Sequence, residues 1–362
     1  MASRKKASDR VTILDVARKS GFSASTVSIV LNEAPLSRYV AATTKEKIRQ
    51  TAKALGYRPD AFARSLRSRR SHTIGVMIFD ISDPFCTLIL GGIEKTLHPT
   101  GYLPIIMDAH NERKQFESYL EMLLDRRVEG LIVVANWLFA EVDLLADMKK
   151  HNIPTVVIGR DLTPSQISSV LVNNAAGAYA ALDYLYQLGH RKIAFIRGPE
   201  RLHDSVHRWQ GIEKFAKEHG LELDTKRIRQ LPESGDPNSG FYGGLELTQE
   251  LIRSRRKFSA LLAFDDLTAL GALRALIQSG LQVPGDCSVI GFDGVPPAAF
   301  STPALTTMCQ PMEEMGVIGT RWILESIGQD EEKRSTAPVL KLLPPTVLVR
   351  DSTGPHKRSL SL

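Results

Sequence analysis

The sequence predicts an α/β protein led by a small helical headpiece, and three observations carry that expectation. Two short amphipathic helices around a glycine turn open the chain, apolar runs alternate with helical stretches from Thr73 onward, and the alternation restarts near Gly189. Strand–helix alternation yields parallel sheets, because a helix must return the chain before the next strand can run the same way. The pattern is too long for one compact sheet, so two lobes with a cleft are expected.

In the headpiece, Thr12 is placed to cap a first helix in which Ile13, Val16 and Ala17 share an apolar face. Gly21 breaks it. Ser23 then caps a second helix with Val27, Val30 and Leu31 inward and Ala24, Ser25, Ser28 and Ile29 outward, the outline of a helix-turn-helix that offers its leading end to a major groove. The same spacing also describes an ordinary αα-hairpin. A third helix runs from about Thr43 to Leu55, closed by Gly56, and the small domain ends by residue 58. Residues 59–72 form a short basic linker, too isolated to hold a helix in water without a partner.

Charge favours the nucleic-acid reading. Residues 1–72 hold 16 Lys and Arg against 5 Asp and Glu, whereas the other 290 hold 30 against 35, so the net +6 comes from one end. A basic module on a mildly acidic body suits phosphate neutralisation, although a solvated basic face is the plain alternative. With 43% hydrophobic residues the chain has ample material for a core. It shows no signal peptide and no apolar run of membrane-spanning length, so a cytoplasmic protein is expected. Cys86, Cys287 and Cys309 lie far apart without metal spacing and are expected to be reduced and mostly buried. No metal and no cofactor are expected.

The strand candidates are Ile74 to Phe79, Ile105 to Met107, Leu131 to Ala135, Val156 to Ile158, Ile193 to Ile196, Leu261 to Phe264 and Val289 to Phe292. Ligands of open α/β sheets sit beyond the carboxyl ends of the strands, which directs attention to the residues just after each run.

Ordered motifs then make the chain resemble the lactose and purine repressor family of bacterial transcription regulators. They include Thr12-Ile-Leu-Asp-Val-Ala17, Thr26-Val-Ser28, Val30-Leu-Asn32, Gly56-Tyr-Arg-Pro59, Ala63-Arg-Ser-Leu66, Asp80-Ile-Ser-Asp-Pro-Phe85, Leu188-Gly-His-Arg-Lys-Ile193, Arg208-Trp-Gln-Gly211, Val289-Ile-Gly-Phe-Asp293 and Leu305-Thr-Thr-Met-Cys-Gln310. The resemblance implies a headpiece over 1–58, a hinge helix and linker over 59–72, a two-lobed core like that of periplasmic binding proteins over 73–350, and a flexible tail over 351–362. It also implies a homodimer on a near-palindromic operator in double-stranded DNA, with Thr12, Ser23, Ala24, Ser25, Thr26, Ser28, Ile29, Asn32 and Tyr57 at the DNA. In the hinge, Leu66 matches the leucine that wedges between base steps, with Phe62, Arg64 and Arg67 beside it. Ile29 stands where the family commonly has arginine. A guanine reader is thereby replaced by a side chain suited to a thymine methyl.

For the small-molecule effector, expected to be a carbohydrate, the resemblance points to the interlobe cleft. Arg208 matches the arginine that grips hydroxyls or a carboxylate, and Asp265 and Asp293 each follow a strand. Asp83, Phe85 and Cys86 follow the first strand, Asn136 the third and Arg160 the fourth. Phe85 suits either a stacking surface or the core. Asp265 replaces a frequent asparagine and Gly294 a frequent aspartate, so the effector cannot be copied from a relative. Rival readings are a sugar-binding protein without DNA function, a corepressor-dependent regulator of purine-repressor type, and an enzyme. The chain carries no dinucleotide fingerprint, phosphate loop or nucleophile elbow. His203, Asp204 and His207 sit together beside Arg208, where a solvated or cleft-lining role is expected over catalysis.

Overall fold

The computed structural model describes residues 11–58, 70–110, 112–135, 153–233, 239–329 and 337–356. The chain divides into two units, Met1–Ser71 and His72–Leu362.

The first unit contains α1 (Ile13–Ser20), α2 (Ala24–Leu31), a 3-10 turn (Pro35–Tyr39) and α3 (Ala42–Ala54). Each boundary has a local cause. Thr12 and Asp15 form a reciprocal capping box, Gly21 ends α1 at φ 81°, and Ser23 accepts the Thr26 N–H to start α2. Val16, Ala17, Val27, Val30, Ile48 and Ala52 form the buried core. Ala24, expected outward, packs partly against that core, and Leu31 is only half-buried.

The second unit carries two six-stranded sheets among the described residues. The first contains β1 (Thr73–Ile78), β2 (Leu103–Asp108), β3 (Gly130–Val134), β4 (Thr155–Ile158), β5 (Ser168–Val172) and β11 (Leu340–Leu343), ordered β11-β5-β4-β3-β1-β2. The second contains β6 (Ile193–Arg197), β7 (Ile228–Gln230), β8 (Ala260–Ala263), β9 (Ser288–Asp293), β10 (Thr306–Cys309) and β12 (Thr346–Leu348), ordered β12-β10-β9-β8-β6-β7. All described pairings are parallel except β10 with β12. The seven apolar runs all become strands. The strands at β5, β7, β10, β11 and β12 had no such signal, because they are short, rich in Ser and Thr, or at an exposed edge.

The chain passes between lobes three times: from β5 into α6 (Asn174–Gln187), from β10 into α11 (Met312–Gly328), and from β11 to β12. The second lobe therefore begins at α6, before the expected restart at Gly189. Helix α11 returns to the first lobe and packs on α4 (Pro84–Leu97). Their backbones meet at glycines: a Cβ on Gly92 would run into the Glu313 carbonyl, and one on Gly316 into that of Ile89. Only glycine permits that approach.

The expectation of a flexible tail from residue 351 does not hold for 351–356. Ser352 is fully buried, its carbonyl accepts the Val289 N–H at 2.8 Å, and its hydroxyl donates to the Val289 carbonyl at 2.6 Å. It thereby satisfies backbone groups at the start of β9 that would otherwise be buried and unpaired. Residues 357–362 lie outside the described residues.

Candidate functional site

Helix α2 presents the candidate nucleic-acid interface. Thr12, Ser23, Ser25 and Asn32 are exposed, whereas Ala24, Thr26, Ser28, Ile29 and Tyr57 are half-buried. Several of these polar groups already serve the fold. The Thr12 hydroxyl donates to Asp15 at 2.6 Å, the Ser23 and Thr26 hydroxyls lie 2.8 Å apart, and the Asn32 amide donates to the Ser28 carbonyl at 2.9 Å. Tyr57 packs against the headpiece core. Ser25 is exposed and Ile29 half-open on the outer side, a face with one hydroxyl and one apolar group. In the 3-10 turn the Arg38 guanidinium stacks 4.7 Å from the centre of the Tyr39 ring, and Tyr39 is 72% exposed. Phe62, Arg64, Leu66 and Arg67 lie outside the described residues.

The second candidate site is a cavity of about 180 Å³ between the two lobes of the core. Asp83, Phe85 and Arg160 line it from the first lobe; Arg208, Asp265 and Asp293 line it from the second. Five segments far apart in sequence thus converge where strands end. Asn136 lies outside the described residues. Cys86 is not a lining residue: it is fully buried in the first lobe's core, because α4 turns position 86 inward one step after Phe85.

Arg208, on α7 (His203–His219), is the centre of the second-lobe wall. Its Nε donates to Asn174 at 2.8 Å, Nη1 to the Phe264 carbonyl at 2.6 Å, and Nη2 lies 3.4 Å from Asp293. The guanidinium stacks on Phe292 at 3.7 Å and Phe264 at 4.6 Å. Asp293 is held from a third side, accepting the Gln310 side-chain amide, while its carbonyl accepts the Gln310 N–H at 2.9 Å. It has φ 123°, a strained value for a residue with a Cβ, so these bonds fix it where it would not rest unaided. Burial pushes the Asp293 carboxyl upward, against the pull of Arg208 and Gln310. Just beneath, Asp266 accepts N–H groups of Gly294 and Val295 and the Thr307 hydroxyl, securing the loop after β9.

The first-lobe wall is held more lightly. Asp83 caps α4 by accepting the Phe85 N–H at 2.8 Å, and Asp80 accepts the Ser82 N–H and hydroxyl. Burial raises Asp83 to about 6, over the lowering effect of the Phe85 bond, with Asp265 and Asp80 adding repulsion. Burial lowers Arg160.

The cavity also contains Asp80, Phe264 and Gln310, which the sequence did not single out as site residues, together with His203 and Asp204, and Asn174 supports it from behind. His203 and Asp204 take the cleft-lining role expected of them. Asp80 and Phe264 sit at the ends of predicted apolar runs, so the rule of looking past strand ends contained their signal; Gln310 follows β10, which gave no strand signal, and Asn174 carried none.

Known proteins match this architecture part by part. Residues 12–60 match the model of bacterial regulatory proteins of the lacI family, and residues 182–353 that of the periplasmic binding protein-like domain. The HTH-type transcriptional repressor PurR of Erwinia tasmaniensis is 34% identical over 352 residues, covering 96% of this chain and 98% of that protein. The lac repressor dimer bound to operator and the anti-inducer ONPF is 25% identical with a TM-score of 0.81, over 96% of this chain and all of that one. A complex of the transcriptional regulator CelR with cellobiose is 28% identical with a TM-score of 0.68, over 95% of this chain and all of the other.

Proposed function

Since the chain belongs to the lacI family of bacterial regulatory proteins, and is by that membership a DNA-binding transcriptional repressor rather than an enzyme, we propose how its two sites divide the work. The headpiece reads half of a near-palindromic operator through the outer face of α2, and Leu66 of the hinge wedges between base steps at the centre. Ile29 sets a preference for a thymine methyl at the base it faces. The protein works as a homodimer in the cytoplasm. Among the described residues no helix is long and apolar enough to cross a membrane. Support for pairing comes from apolar side chains left open on the core: Leu103 and Ile106 on edge strand β2, and Phe300, 81% exposed, in the second lobe.

The effector binds in the interlobe cavity and is a polyhydroxylated small molecule. One observation carries this reading: Arg208, Asp293 and Asp265 from one lobe meet Asp83, Phe85 and Arg160 from the other around one cavity. Such convergent polar groups on a partly apolar wall suit a ring bearing hydroxyls. A ligand touching both lobes favours one arrangement of them over another, and operator affinity changes only as far as it binds the two unequally.

The test is selection of duplexes from a random DNA pool with full-length protein at fixed salt, followed by the same binding in Leu66→Ala and Ile29→Ala. A near-palindrome, weakened by Leu66→Ala and less selective at one base in Ile29→Ala, is the expected result. Binding that is salt-sensitive but indifferent to sequence, with and without candidate effectors, would remove the reading.

A further inference from the structure

The charge of the interlobe cavity is lopsided. Among the described residues, Asp80, Asp83, Asp204, Asp265 and Asp293 line it, against the guanidiniums of Arg160 and Arg208 and the His203 imidazole. Arg208 is already engaged, through the contacts described above, with Asp293, Asn174 and the Phe264 carbonyl. An anionic ligand therefore meets a wall with more carboxyl groups than guanidiniums and finds one of the two arginines already paired.

Asp83 and Asp265 line the cavity from opposite lobes, close enough that the Asp265 charge adds to the burial that disfavours ionisation of Asp83. Each spends one oxygen on its own helix: Asp83 Oδ1 accepts the Phe85 N–H at 2.8 Å, and Asp265 Oδ1 accepts the Thr268 N–H at 2.7 Å. The second oxygen of each accepts no hydrogen bond from the described residues. Phe79, Phe85 and Phe264 line the same space, and the rings of Phe79 and Phe85 stack with centres 6.3 Å apart. Carboxylates beside aromatic faces are the chemistry that holds an organic cation, by charge-assisted hydrogen bonds on one side and the ring quadrupole on the other.

We propose that the effector is an organic ammonium compound bearing hydroxyls, an amino sugar or amino polyol, whose ammonium is held between Asp83 and Asp265. A neutral sugar would leave two like charges facing each other as the lobes close on it; an ammonium supplies donors for both free oxygens and cancels the repulsion. Arg160 and His203, also from opposite lobes, offer donors to the hydroxyl oxygens. The inference rests on the reading of this cavity as the effector site and names the ligand class it selects.

Calorimetric titration of the full-length protein tests it. The probes are glucosamine, galactosamine and mannosamine, each beside its N-acetylated form, its parent hexose and the hexose 6-phosphate. They are run on the wild type and on Asp83→Asn, which keeps a carbonyl able to cap α4. At least one amine is expected to bind tenfold or more tightly than its neutral and phosphorylated counterparts, and to lose at least tenfold in Asp83→Asn. A neutral or phosphorylated probe that outbinds its amine, an amine indifferent to Asp83→Asn, or no binding by any amine would overturn the proposal. Neutral sugars that bind and shift operator affinity would leave the effector site standing while removing the ammonium. If no small molecule bound the core, the reading beneath it would fall as well.

Discussion

The two walls of the interlobe cavity are built on opposite plans. On the second lobe, Arg208 ties together Asn174, the Phe264 carbonyl and Asp293, and Gln310 pins Asp293 from the segment that leads to the next lobe crossing. On the first lobe, among the described residues, the Asp83 and Asp80 carboxylates accept hydrogen bonds from backbone and hydroxyl groups within two residues of themselves. One wall is thus assembled before a ligand arrives, at the cost of buried charge that must stay paired. The other wall has no such cross-braced ion pair among the described residues, and Asp83 on it, like Asp265 opposite, keeps one oxygen open.

The largest effect that would sharpen this contrast concerns the two arginines. Arg208→Met leaves Asp293 buried without its ion partner and should cost about 3–5 kcal/mol of stability by urea unfolding. Equal loss from Arg160→Met would collapse the distinction; a change within about 0.5 kcal/mol is expected there, with the loss confined to ligand affinity. Next comes Gln310→Leu, which removes the amide donor from Asp293 and should cost about 1–3 kcal/mol, whereas Ser82→Ala, on the lightly held wall, should change stability by no more than a few tenths of a kcal/mol.

Asp83 should behave in the reverse sense. Its folded-state value of about 6 lies above the unfolded one, so the native state binds the proton more tightly and ionisation costs stability. The penalty is absent below about pH 4, grows through pH 6 and is complete above it. Asp83→Asn should therefore melt with the wild type at low pH and above it at pH 7, by at most about 2 kcal/mol, since the carboxylate opens on the cavity. Asp80 and Asp265 act directly on Asp83, and Arg160, His203, Asp204, Arg208 and Asp293 share the cavity, so the midpoint will reflect their joint field. A variant that is less stable at neutral pH would show that the first wall is tied into the fold as tightly as the second.

Much of the site was legible before the structure. Arg208, Asp265, Asp293, Asp83, Phe85 and Arg160 are motif residues or sit just past apolar runs, and the cavity gathers all six. Cys86 was misplaced because the residue after Phe85 is turned a quarter of the way or so around α4, into the core, and a strand-end rule cannot tell which face a helix will bury. Asn174 and Gln310 gave little warning for a different reason. Their role is to hold Arg208 and Asp293, and a supporting partner is chosen by three-dimensional proximity, with no spacing in the chain to mark it.

The helical headpiece, its caps at Thr12, Ser23 and Gly56, the alternating apolar pattern of the core and the uneven distribution of charge could all be read from the order of residues. These are local properties, set by hydrogen bonds and periodicities within a few residues. It took folding in three dimensions to route the chain between lobes three times and to make residues 351–356 finish the second lobe. Folding likewise brings Arg208 in with its charge matched while Asp83 and Asp265 face each other unmatched. Those outcomes depend on which carboxylates come within a few ångströms of one guanidinium, and Coulomb interaction across a desolvated cleft depends on that distance rather than on separation along the chain.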